Sequence, residues 1–295
     1  MYSKSLLYRS RLVIPINVDK FVEKAQSRGA DMLVLDLEDS IPMEEKEEAR
    51  KKVRSSIEKI KNGNSRIYVR VNSEQDFLFK DVFHSIWQGV SGIVLPKIEN
   101  KEQIVEVDHW IRVLENERKL PDFSIAISLV VETSTGLKNL DSILSSSKRI
   151  DTVTLGTEDY AQDIGMVLNE ESNAYLDSAR MHIINMANAY NIIPLGMTSS
   201  MTDYTHLETF KKVAKISYSI GFQGSSCIHP TQVPILNESY IPDTKQVGHA
   251  KEVIQAFEKS LSENRASSSL NGKMIDYPHY NQAKKTLRIY EQANQ

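Results

Sequence analysis

The sequence predicts a (β/α)8 barrel, an α/β fold in which eight parallel strands alternate with helices. Short apolar runs recur along the 295-residue chain, and amphipathic stretches separate them. Short β-branched runs that lack strict alternation and end at turn residues are typical of buried parallel strands. Because roughly 250 residues fill such a barrel, we assign residues 1–262 to it and residues 263–295 to a hinge and C-terminal lid segment.

Each element is predicted from its own pattern. The apolar runs that predict strands are 12–15, 32–37, 66–71, 92–95, 125–131, 153–155, 192–195 and 222–226. The amphipathic stretches that predict helices are 19–28, 42–61, 79–88, 100–118, 172–190, 206–220 and 246–260. The second helix has Pro42 at its start and Asn62-Gly63 after its end, the usual helix punctuation. The Ser-rich stretch 264–271 is predicted as a polar hinge and 279–293 as a lid helix, with a loosely held tail as the alternative.

Composition excludes several classes of function. The net charge of −3 provides no basic surface for nucleic acid or for an anionic membrane. No apolar run is long enough for a signal-peptide core or a membrane span. Cys227 is the only cysteine, so no intramolecular disulfide can form. We therefore expect a cytoplasmic protein whose partners include neither nucleic acid nor a membrane.

Acidic residues follow two adjacent predicted strands, at the rim where such barrels build their active sites. Glu132 comes directly after the fifth strand, and Glu158 and Asp159 follow Gly156 after the sixth. Neighbouring strands lie roughly 5 Å apart, so Glu132 and Asp159 are expected to converge. Converging carboxylates suit a hard divalent cation such as Mg²⁺. The alternative is that both residues are helix N-caps facing solvent.

A second charged group is predicted at the same rim. The second strand leads into Asp36, Glu38 and Asp39, and the third ends at Arg70. By the period-two rule, Asp36 and Glu38 share one side of the strand and Asp39 takes the other. Arg70 offers a planar fork that matches a substrate carboxylate. A salt bridge from Arg70 to Asp36 or Glu38 is the alternative, and it would also preorganise the arginine.

Two further rim residues have ordinary interpretations as well. Lys97 follows the fourth strand and could contact an anion, but a solvated lysine is equally consistent with its position. His229 follows the eighth strand and could face a ligand, but a hydrogen-bonded structural histidine is commoner. The sequence lacks a phosphate-binding glycine loop, a nucleophile elbow and His/Cys metal spacing. Metal-assisted chemistry on a carboxylate-bearing substrate therefore fits better than covalent catalysis.

Taken together, the short motifs of this chain resemble those of the citrate lyase β-subunit and malyl-CoA lyase family of the HpcH/HpaI aldolase group. The resemblance covers essentially the whole length, and the joint order and spacing of the motifs are specific. The motifs are Arg9-Ser-Arg-Leu with Pro15, Lys24-Ala with Gly29-Ala-Asp, Leu35-DLEDS, Val69-RVN, Leu95-PKIE, Val131-ETSTG, Leu155-GTEDYAQDIG, Gly221-FQG and Cys227-IHPTQV.

This resemblance implies a (β/α)8 barrel that cleaves or forms a carbon–carbon bond with Mg²⁺. It places the two metal ligands at Glu132 and Asp159, and the arginine that holds the substrate carboxylate at Arg70. Glu132 would also lie against the substrate. Three further residues at the rim are expected to contact the substrate: Glu158, Lys97 and His229.

The C-terminal stretch GKMIDYPHYNQA resembles the last segment of the longer acyl-CoA lyases, such as malyl- and citramalyl-CoA lyases. In those enzymes an aspartate reaches into an adjacent subunit's site and acts as acid or base at the acyl α-carbon. That position is Asp276 here. The resemblance thus implies a CoA-thioester substrate and a homo-oligomer, a trimer or hexamer.

The loop after the first strand departs from the family pattern. It reads Pro15-Ile-Asn-Val18-Asp-Lys20, with Val18 at the position where the family usually has an arginine that helps to hold CoA. Lys20 and Lys24 are the cations that could compensate.

These inferences combine into one hypothesis, a Mg²⁺-dependent retro-aldol cleavage of a 3-hydroxyacyl-CoA such as malyl- or citramalyl-CoA into an α-oxo acid and an acyl-CoA. Arg70 would clamp the substrate carboxylate, and Asp276 would protonate the enolate. Asp36 and Glu38 would orient Arg70 and the metal-bound water. The alternatives are a thioesterase with the same metal site, an aldolase on a free hydroxy-oxo acid, and a non-catalytic scaffold.

Overall fold

The structure is a computed structural model that describes residues 7–199 and 205–294. The chain forms two compact units, one from Tyr8 to Asn237 and one that contains residues 238–294. The boundary between them precedes the sequence-based boundary at 262/263, because the last long helix clusters with the C-terminal segment. Within the described part, no helix combines the length and the apolar character needed to cross a bilayer.

The first unit is built around a sheet of eight parallel strands. They are β1 (Ser10–Pro15), β2 (Met32–Asp36), β3 (Arg66–Arg70), β4 (Gly92–Leu95), β5 (Ala126–Val131), β6 (Ile150–Leu155), β7 (Ile193–Leu195) and β8 (Ser225–Cys227). Each strand from β1 to β6 pairs in parallel with the next, and β8 pairs with β1. This order wraps the sheet into the predicted (β/α)8 barrel, which is confirmed.

The barrel closes between β7 and β8 without a regular ladder. Two backbone hydrogen bonds join the two strand regions: the amide of Gln223 donates to the carbonyl of Pro194 at 3.0 Å, and the amide of Gly196 donates to the carbonyl of Gly224 at 2.8 Å. The last predicted strand, at 222–226, therefore begins later than expected, because its first residues bond to β7 instead of to β1.

Helices connect the strands of this unit. They are α1 (Asp19–Glu23), α2 (Lys46–Ile60), α3 (Gln75–Ser85), α4 (Lys101–Glu117), α5 (Ser134–Lys138), α6 (Leu140–Leu144), α7 (Thr157–Asp163), α8 (Glu170–Asn173), α9 (Asp177–Ala189), α10 (Leu207–Ile220) and α11 (Gln232–Ser239). In α2, Ala49, Val53, Ile57 and Ile60 are buried. Their spacing of three or four residues forms the apolar stripe that packs a helix against a core.

The helix predicted at 172–190 is interrupted by a 3₁₀ turn, Ala174–Leu176. Arg180 accounts for the break, because its guanidinium donates to the backbone carbonyl of Asn173 at 3.0 Å and to the side-chain oxygen of Asn173 at 2.7 Å. An α-helix needs that carbonyl for the amide four residues later. The segment therefore divides into α8 and α9.

The second unit contains α12 (Thr244–Ser262), β9 (Ser268–Leu270), β10 (Lys273–Ile275) and α13 (Tyr277–Ala293). The predicted hinge at 264–271 thus contains a strand of an antiparallel hairpin. The hairpin turn is Asn271-Gly272, with φ values of 53° and 75°. A two-residue turn with positive φ at both positions is the type that suits the twist of a hairpin, and Asn-Gly is its preferred sequence.

Phe257 is the centre of the second unit's core. It is fully buried and packs with Ile275 and Ala283. Its ring also lies 5.0 Å from the ring of Tyr277 and 5.1 Å from that of Tyr280, measured between centroids. These contacts join α12 to α13 and fix the start of α13, where Asp276 is the N-cap residue.

Candidate active site

Arg70 lies among carboxylates at the carboxyl ends of β2 and β3. Its Nε and Nη2 atoms donate to the two oxygens of Asp36, each at 2.7 Å, in the bidentate geometry that makes such pairs strong. Its Nη1 atom lies 3.1 Å from Glu38 and 2.9 Å from Asp39. The salt bridge considered as an alternative role for Arg70 is therefore present, with both Asp36 and Glu38.

Asp39 does not lie on the side opposite to Asp36 and Glu38, so that expectation is wrong. The strand β2 ends at Asp36. The Asp36 carboxylate then accepts hydrogen bonds from the amides of Glu38 and Ser40, both at 3.1 Å, and from the Ser40 hydroxyl at 2.5 Å. These bonds turn the backbone, so the alternation of a strand does not continue and Asp39 reaches Arg70.

Glu132 is held by the loop after β4. Its Oε2 atom accepts a hydrogen bond of 2.7 Å from the backbone amide of Lys97. Lys97 has a φ of 52°, in the left-handed region that residues other than glycine adopt infrequently. The Lys97 ammonium also lies 3.3 Å from Glu38. Lys97 thus contacts two carboxylates, one through its backbone and one through its side chain.

Neither Glu132 nor Asp159 is the N-cap of a helix, which was the alternative interpretation. Thr133 caps α5, because its hydroxyl accepts from the amide of Gly136 at 3.1 Å. Gly156 occupies the N-cap position of α7, and the half-buried Asp159 lies in the first turn. A helix N-terminus favours a negative charge there, which suits a carboxylate that binds a metal ion.

Arg70 and Lys97 lie beside Glu38, but these positive charges do not offset the burial of the carboxylates at this site. Burial, together with the charges of Glu38 and Asp159, raises the pKa of Glu132 to about 8. Burial also raises the pKa of Glu38 to about 7. Both Glu38 oxygens are buried and accept no hydrogen bond from the described residues. A cation bound among these carboxylates would stabilise their charged forms and would give the Glu38 oxygens a partner. An all-oxygen donor set suits Mg²⁺.

The donor set for such a cation is small. Among residues 7–199 and 205–294, no group of three or more His, Cys, Asp or Glu side chains is arranged to hold a metal. Mg²⁺ is commonly bound by one or two carboxylates, with water and substrate as the other ligands. Glu132 and Asp159 are able to provide those two carboxylates.

Gly156 leaves the space that the Glu132 side chain occupies. A Cβ at position 156 would overlap Cγ of Glu132 and lie 2.6 Å from its Oε1 atom. Gly156→Ala is therefore expected to displace Glu132 and to weaken Mg²⁺ binding by about tenfold or more, as changes that disturb ligand orientation do, measured by calorimetry. Gly248→Ala is the matched control, because a Cβ there meets no atom within 4 Å. Equal Mg²⁺ affinity in the two variants would contradict the proposed role of Glu132.

A buried arginine that was not among the predicted site residues lies inside the barrel. Arg11 on β1 donates from Nε to the Ser226 hydroxyl at 2.6 Å and from Nη1 to the Ser128 hydroxyl at 2.9 Å. Burial, together with the positive charge of Arg70, lowers the pKa of Arg11 to about 10. The barrel interior beneath Arg70 therefore contains a second positive charge.

Several predicted site residues are exposed or make a local contact in the structure. Lys20 and Lys24 are exposed, on α1 and directly after it, and Glu158 is exposed in the first turn of α7. The Nδ1 atom of His229 lies 2.7 Å from the hydroxyl of Thr231. That local contact matches the structural-histidine alternative.

Asp276 belongs to the second unit. Its side chain is partly exposed, and its Oδ1 atom lies 2.5 Å from Nδ1 of His279. The hydrogen bond from His279 lowers the pKa of Asp276 below its ordinary value. Asp276 is thus held as a carboxylate at the start of α13.

Some contributions to the site have no signature in the sequence. The left-handed backbone of Lys97 could not be anticipated, since only glycine and asparagine adopt it readily. The requirement for glycine at position 156 could have been predicted from the sequence, because this residue directly follows β6, the neighbour of the strand that precedes Glu132. A glycine at such a junction often marks the close approach of another group.

Comparison with known proteins identifies relatives along nearly the whole chain. The family model described as HpcH/HpaI aldolase/citrate lyase matches residues 9–230. The citrate lyase subunit beta of Leuconostoc mesenteroides subsp. cremoris is 28% identical, over 96% of this chain and 93% of its own. The L-malyl-CoA/beta-methylmalyl-CoA lyase of Rhodobacter capsulatus is 26% identical, over 97% and 96%. The mitochondrial citramalyl-CoA lyase of Homo sapiens is 27% identical, over 98% and 87%.

Solved structures share the fold. The protein CitE of Mycobacterium tuberculosis, crystallised with magnesium, acetoacetate and coenzyme A, has a TM-score of 0.77 at 22% identity and covers 99% of this chain and 100% of its own. A citrate lyase of Burkholderia xenovorans LB400 has a TM-score of 0.82 at 15% identity, over 98% and 93%. At these identities the similarity supports the fold assignment.

Proposed function

Because the chain belongs to the HpcH/HpaI aldolase/citrate lyase family, we propose that it is a Mg²⁺-dependent carbon–carbon lyase that cleaves a 3-hydroxyacyl-CoA, such as malyl- or citramalyl-CoA, into an α-oxo acid and an acyl-CoA. Relatives that align along nearly the whole chain are named as lyases. The observation that carries the proposal is the group of carboxylates beside Arg70: the Glu38 oxygens are buried and accept no hydrogen bond from the described residues, and the pKa of the buried Glu132 is raised by its burial and by the charges of Glu38 and Asp159.

Glu132 and Asp159 would hold the metal. When bound there, Mg²⁺ supplies Lewis-acid stabilisation of the negative charge that develops as the carbon–carbon bond breaks. The Lys97 amide orients Glu132 through its hydrogen bond, and this bond would hold the side chain in position to bind the metal. Glu38 would orient water or substrate from beside the ligands.

Arg70 would bind the substrate carboxylate through Nη1. The Nε and Nη2 atoms already donate to Asp36, which is itself buried. This edge of the guanidinium is therefore not available to a substrate. Asp39, at Nη1, has a side chain that is 58% exposed. Exchange of Asp39 for a substrate carboxylate would therefore preserve the charge balance around Arg70 and leave its orientation unchanged.

Asp276 would act on the acyl group from a neighbouring subunit, as the family resemblance implies. It would protonate the acyl-CoA enolate during cleavage, or remove the proton in the condensation direction. His279 lowers the pKa of Asp276, which favours the carboxylate and hence the role of a base. A cytoplasmic homotrimer or hexamer is part of this proposal, since Asp276 would be shared between chains.

The remaining candidates would contact the CoA and the substrate. Lys20 and Lys24 are exposed cations near the end of β1, and lysines commonly bind phosphate groups as point charges. Lys97 faces Glu38 and could also reach an anionic substrate. Glu158 and His229 remain candidate substrate contacts.

The test incubates purified protein and Mg²⁺ with malyl-CoA, citramalyl-CoA and the corresponding free acids. It follows α-oxo acid as a hydrazone and free CoA as a thiol, with EDTA as the control. We expect oxo acid without free thiol, and its loss in EDTA. Thiol without oxo acid would indicate a thioesterase, and oxo acid from the free acids alone would indicate an aldolase. No product in any channel, together with no Mg²⁺ binding, would contradict the proposal.

A further inference from the structure

Lys97 contacts the carboxylates of the candidate site through both its backbone and its side chain. Its amide donates to Oε2 of Glu132 at 2.7 Å. Its ammonium Nζ lies 3.3 Å from Oε1 of Glu38. The charges of Glu38, Asp39 and Glu132 all act on this ammonium. One residue thus joins a proposed metal ligand to the buried acid beside it.

The backbone of Lys97 accounts for its amide contact but not for its side chain. Its φ of 52° lies in the left-handed region. Glycine adopts that region without strain, and it would still donate its amide to Glu132. Strain of this kind persists where other interactions of the residue offset it, and it is common at functional sites. The lysine side chain therefore contributes something that glycine could not supply.

The Lys97 ammonium is held loosely. Its side chain is 39% exposed, whereas that of Glu38 is 4% exposed. Neither oxygen of Glu38 accepts a hydrogen bond from the described residues, so charge alone holds the pair together. Lysine presents a compact charge on a flexible stem. The ammonium is therefore able to leave Glu38 without breaking a hydrogen bond.

Arg70, the other cation beside Glu38, is fixed by comparison. Two of its nitrogens donate to Asp36 at 2.7 Å each, and the Asp36 side chain is fully buried. A Mg²⁺ ion bound by Glu132 would be repelled by any positive charge that also acts on that carboxylate. Of the two cations beside Glu38, Lys97 is the one that can move to relieve this repulsion.

We propose that the Lys97 ammonium is the counter-ion of these carboxylates in the metal-free protein, and that it moves away from Glu38 toward solvent when Mg²⁺ binds at Glu132 and Asp159. This inference rests on the proposed function, because it requires the metal site. The metal would replace the positive charge that Lys97 supplied. The buried carboxylates would then have a nearby cation in both states, at the cost of weaker Mg²⁺ binding.

Lys97→Met tests this exchange in the full chain, because methionine removes the charge and keeps the amide and an unbranched side chain. The metal-free variant is expected to unfold at a lower urea concentration than the unmodified chain, and saturating Mg²⁺ should abolish the difference. Calorimetry should show about threefold to tenfold tighter Mg²⁺ binding to the variant, since one nearby positive charge is gone. Thermodynamic linkage requires this gain in affinity to match the loss of stability in the metal-free variant.

Tryptophan fluorescence follows the unfolding of the relevant unit. The chain has two tryptophans, Trp87 and Trp110, and both belong to the first compact unit, which also contains Lys97. The signal therefore reports on the part of the chain in which the charge is removed.

Two further variants are controls. Lys97→Arg keeps a positive charge at the same position and should bind Mg²⁺ no more tightly than the unmodified chain. Lys101→Met makes the same change in net charge at an exposed position at the start of α4. It should leave Mg²⁺ affinity unchanged, because salt screens exposed charges.

Several results would overturn the inference. If Lys97→Met is less stable and also binds Mg²⁺ more weakly, the side chain supports the fold of the site and does not compete with the metal. Equal affinity in Lys97→Met and the unmodified chain, or an equal gain in Lys101→Met, would overturn it while the metal site stands. No Mg²⁺ binding by the unmodified chain would overturn both this inference and the proposed function.

Discussion

Replacing Glu132 by Gln is expected to lower lyase turnover by about a thousandfold or more and to remove Mg²⁺ binding. The amide of Gln has nearly the shape of the carboxylate and still accepts the hydrogen bond from the Lys97 amide, so the local fold should persist. It lacks the negative charge that a hard cation requires. Metal stabilisation of the transition state is worth several kcal/mol, and about 4 kcal/mol corresponds to a factor of roughly a thousand in rate. Turnover under saturating substrate and calorimetry with Mg²⁺ measure the two losses.

Two variants distinguish the role of the metal from the role of Asp276 as acid or base. Asp276→Asn should retain Mg²⁺ binding while turnover falls, because Asp276 lies in the other compact unit. Glu99→Gln removes one negative charge from the loop that contains Lys97 and should leave both quantities unchanged. If Asp276→Asn keeps full turnover while Glu132→Gln loses it, the shared aspartate is the part of the mechanism that fails. If Glu132→Gln remains fully active, the metal site itself is misassigned.

Arg149→Met is expected to destabilise the first unit by about 3–5 kcal/mol, the range for breaking a buried ion pair from one side. Arg149 and Glu115 are each 1% exposed, and their closest atoms, Nη2 and Oε2, are 2.6 Å apart. Arg149 also donates to Asp108 at 2.7 Å and to the carbonyl of Ile125 at 3.0 Å. Its removal leaves the Glu115 carboxylate charged and buried without its main partner. Urea unfolding measures the loss as a lower transition midpoint.

A double variant tests whether the loss of stability comes from the unpaired charge of Glu115. Arg149→Met combined with Glu115→Leu removes both charges, and this double variant should recover much of the lost stability, because apolar replacements of buried pairs are often neutral. Arg265→Met is the control on an exposed pair. Arg265 contacts Glu263 with both side chains largely in solvent, so the change should be within about 1 kcal/mol. A double variant as unstable as the single one would mean that Arg149 acts through packing instead.

The strands and helices that alternate along the chain could be predicted from the sequence, and so could the charged residues that follow the strands. Buried runs such as β4 are short, apolar and bounded by turn residues, so their positions are set by local composition. The rim residues Asp36, Arg70 and Glu132 could be identified for the same reason, because each stands at or directly beyond the carboxyl end of a strand. The contact between Asp36 and Arg70 follows from the adjacency of β2 and β3, which the order of the barrel dictates.

The differences arise where side chains redirect the backbone. Asp36 turns the chain that contains Asp39, and Arg180 takes a carbonyl from what would have been one continuous helix. Lys97 adopts a backbone conformation that its residue type does not favour. In each case a contact distant in sequence, or a hydrogen bond within a turn, overrides the local sequence pattern. Such contacts cannot be predicted from local patterns of residues. The Asn271-Gly272 turn is different, since that dipeptide is a recognised hairpin signal.

The way in which the barrel closes has a consequence for its synthesis. The first strand, β1, gains its second neighbour only when β8 is made, and the two residues joined across that pairing, Arg11 and Ser226, are 215 positions apart. At about 5–20 residues per second, a ribosome needs roughly 10–40 s to cover that interval. Throughout it, one side of β1 keeps unpaired amides and carbonyls, the kind of edge that recruits other chains. The nascent protein is therefore expected to depend on chaperone shielding of its N-terminal strand until the last strand has emerged.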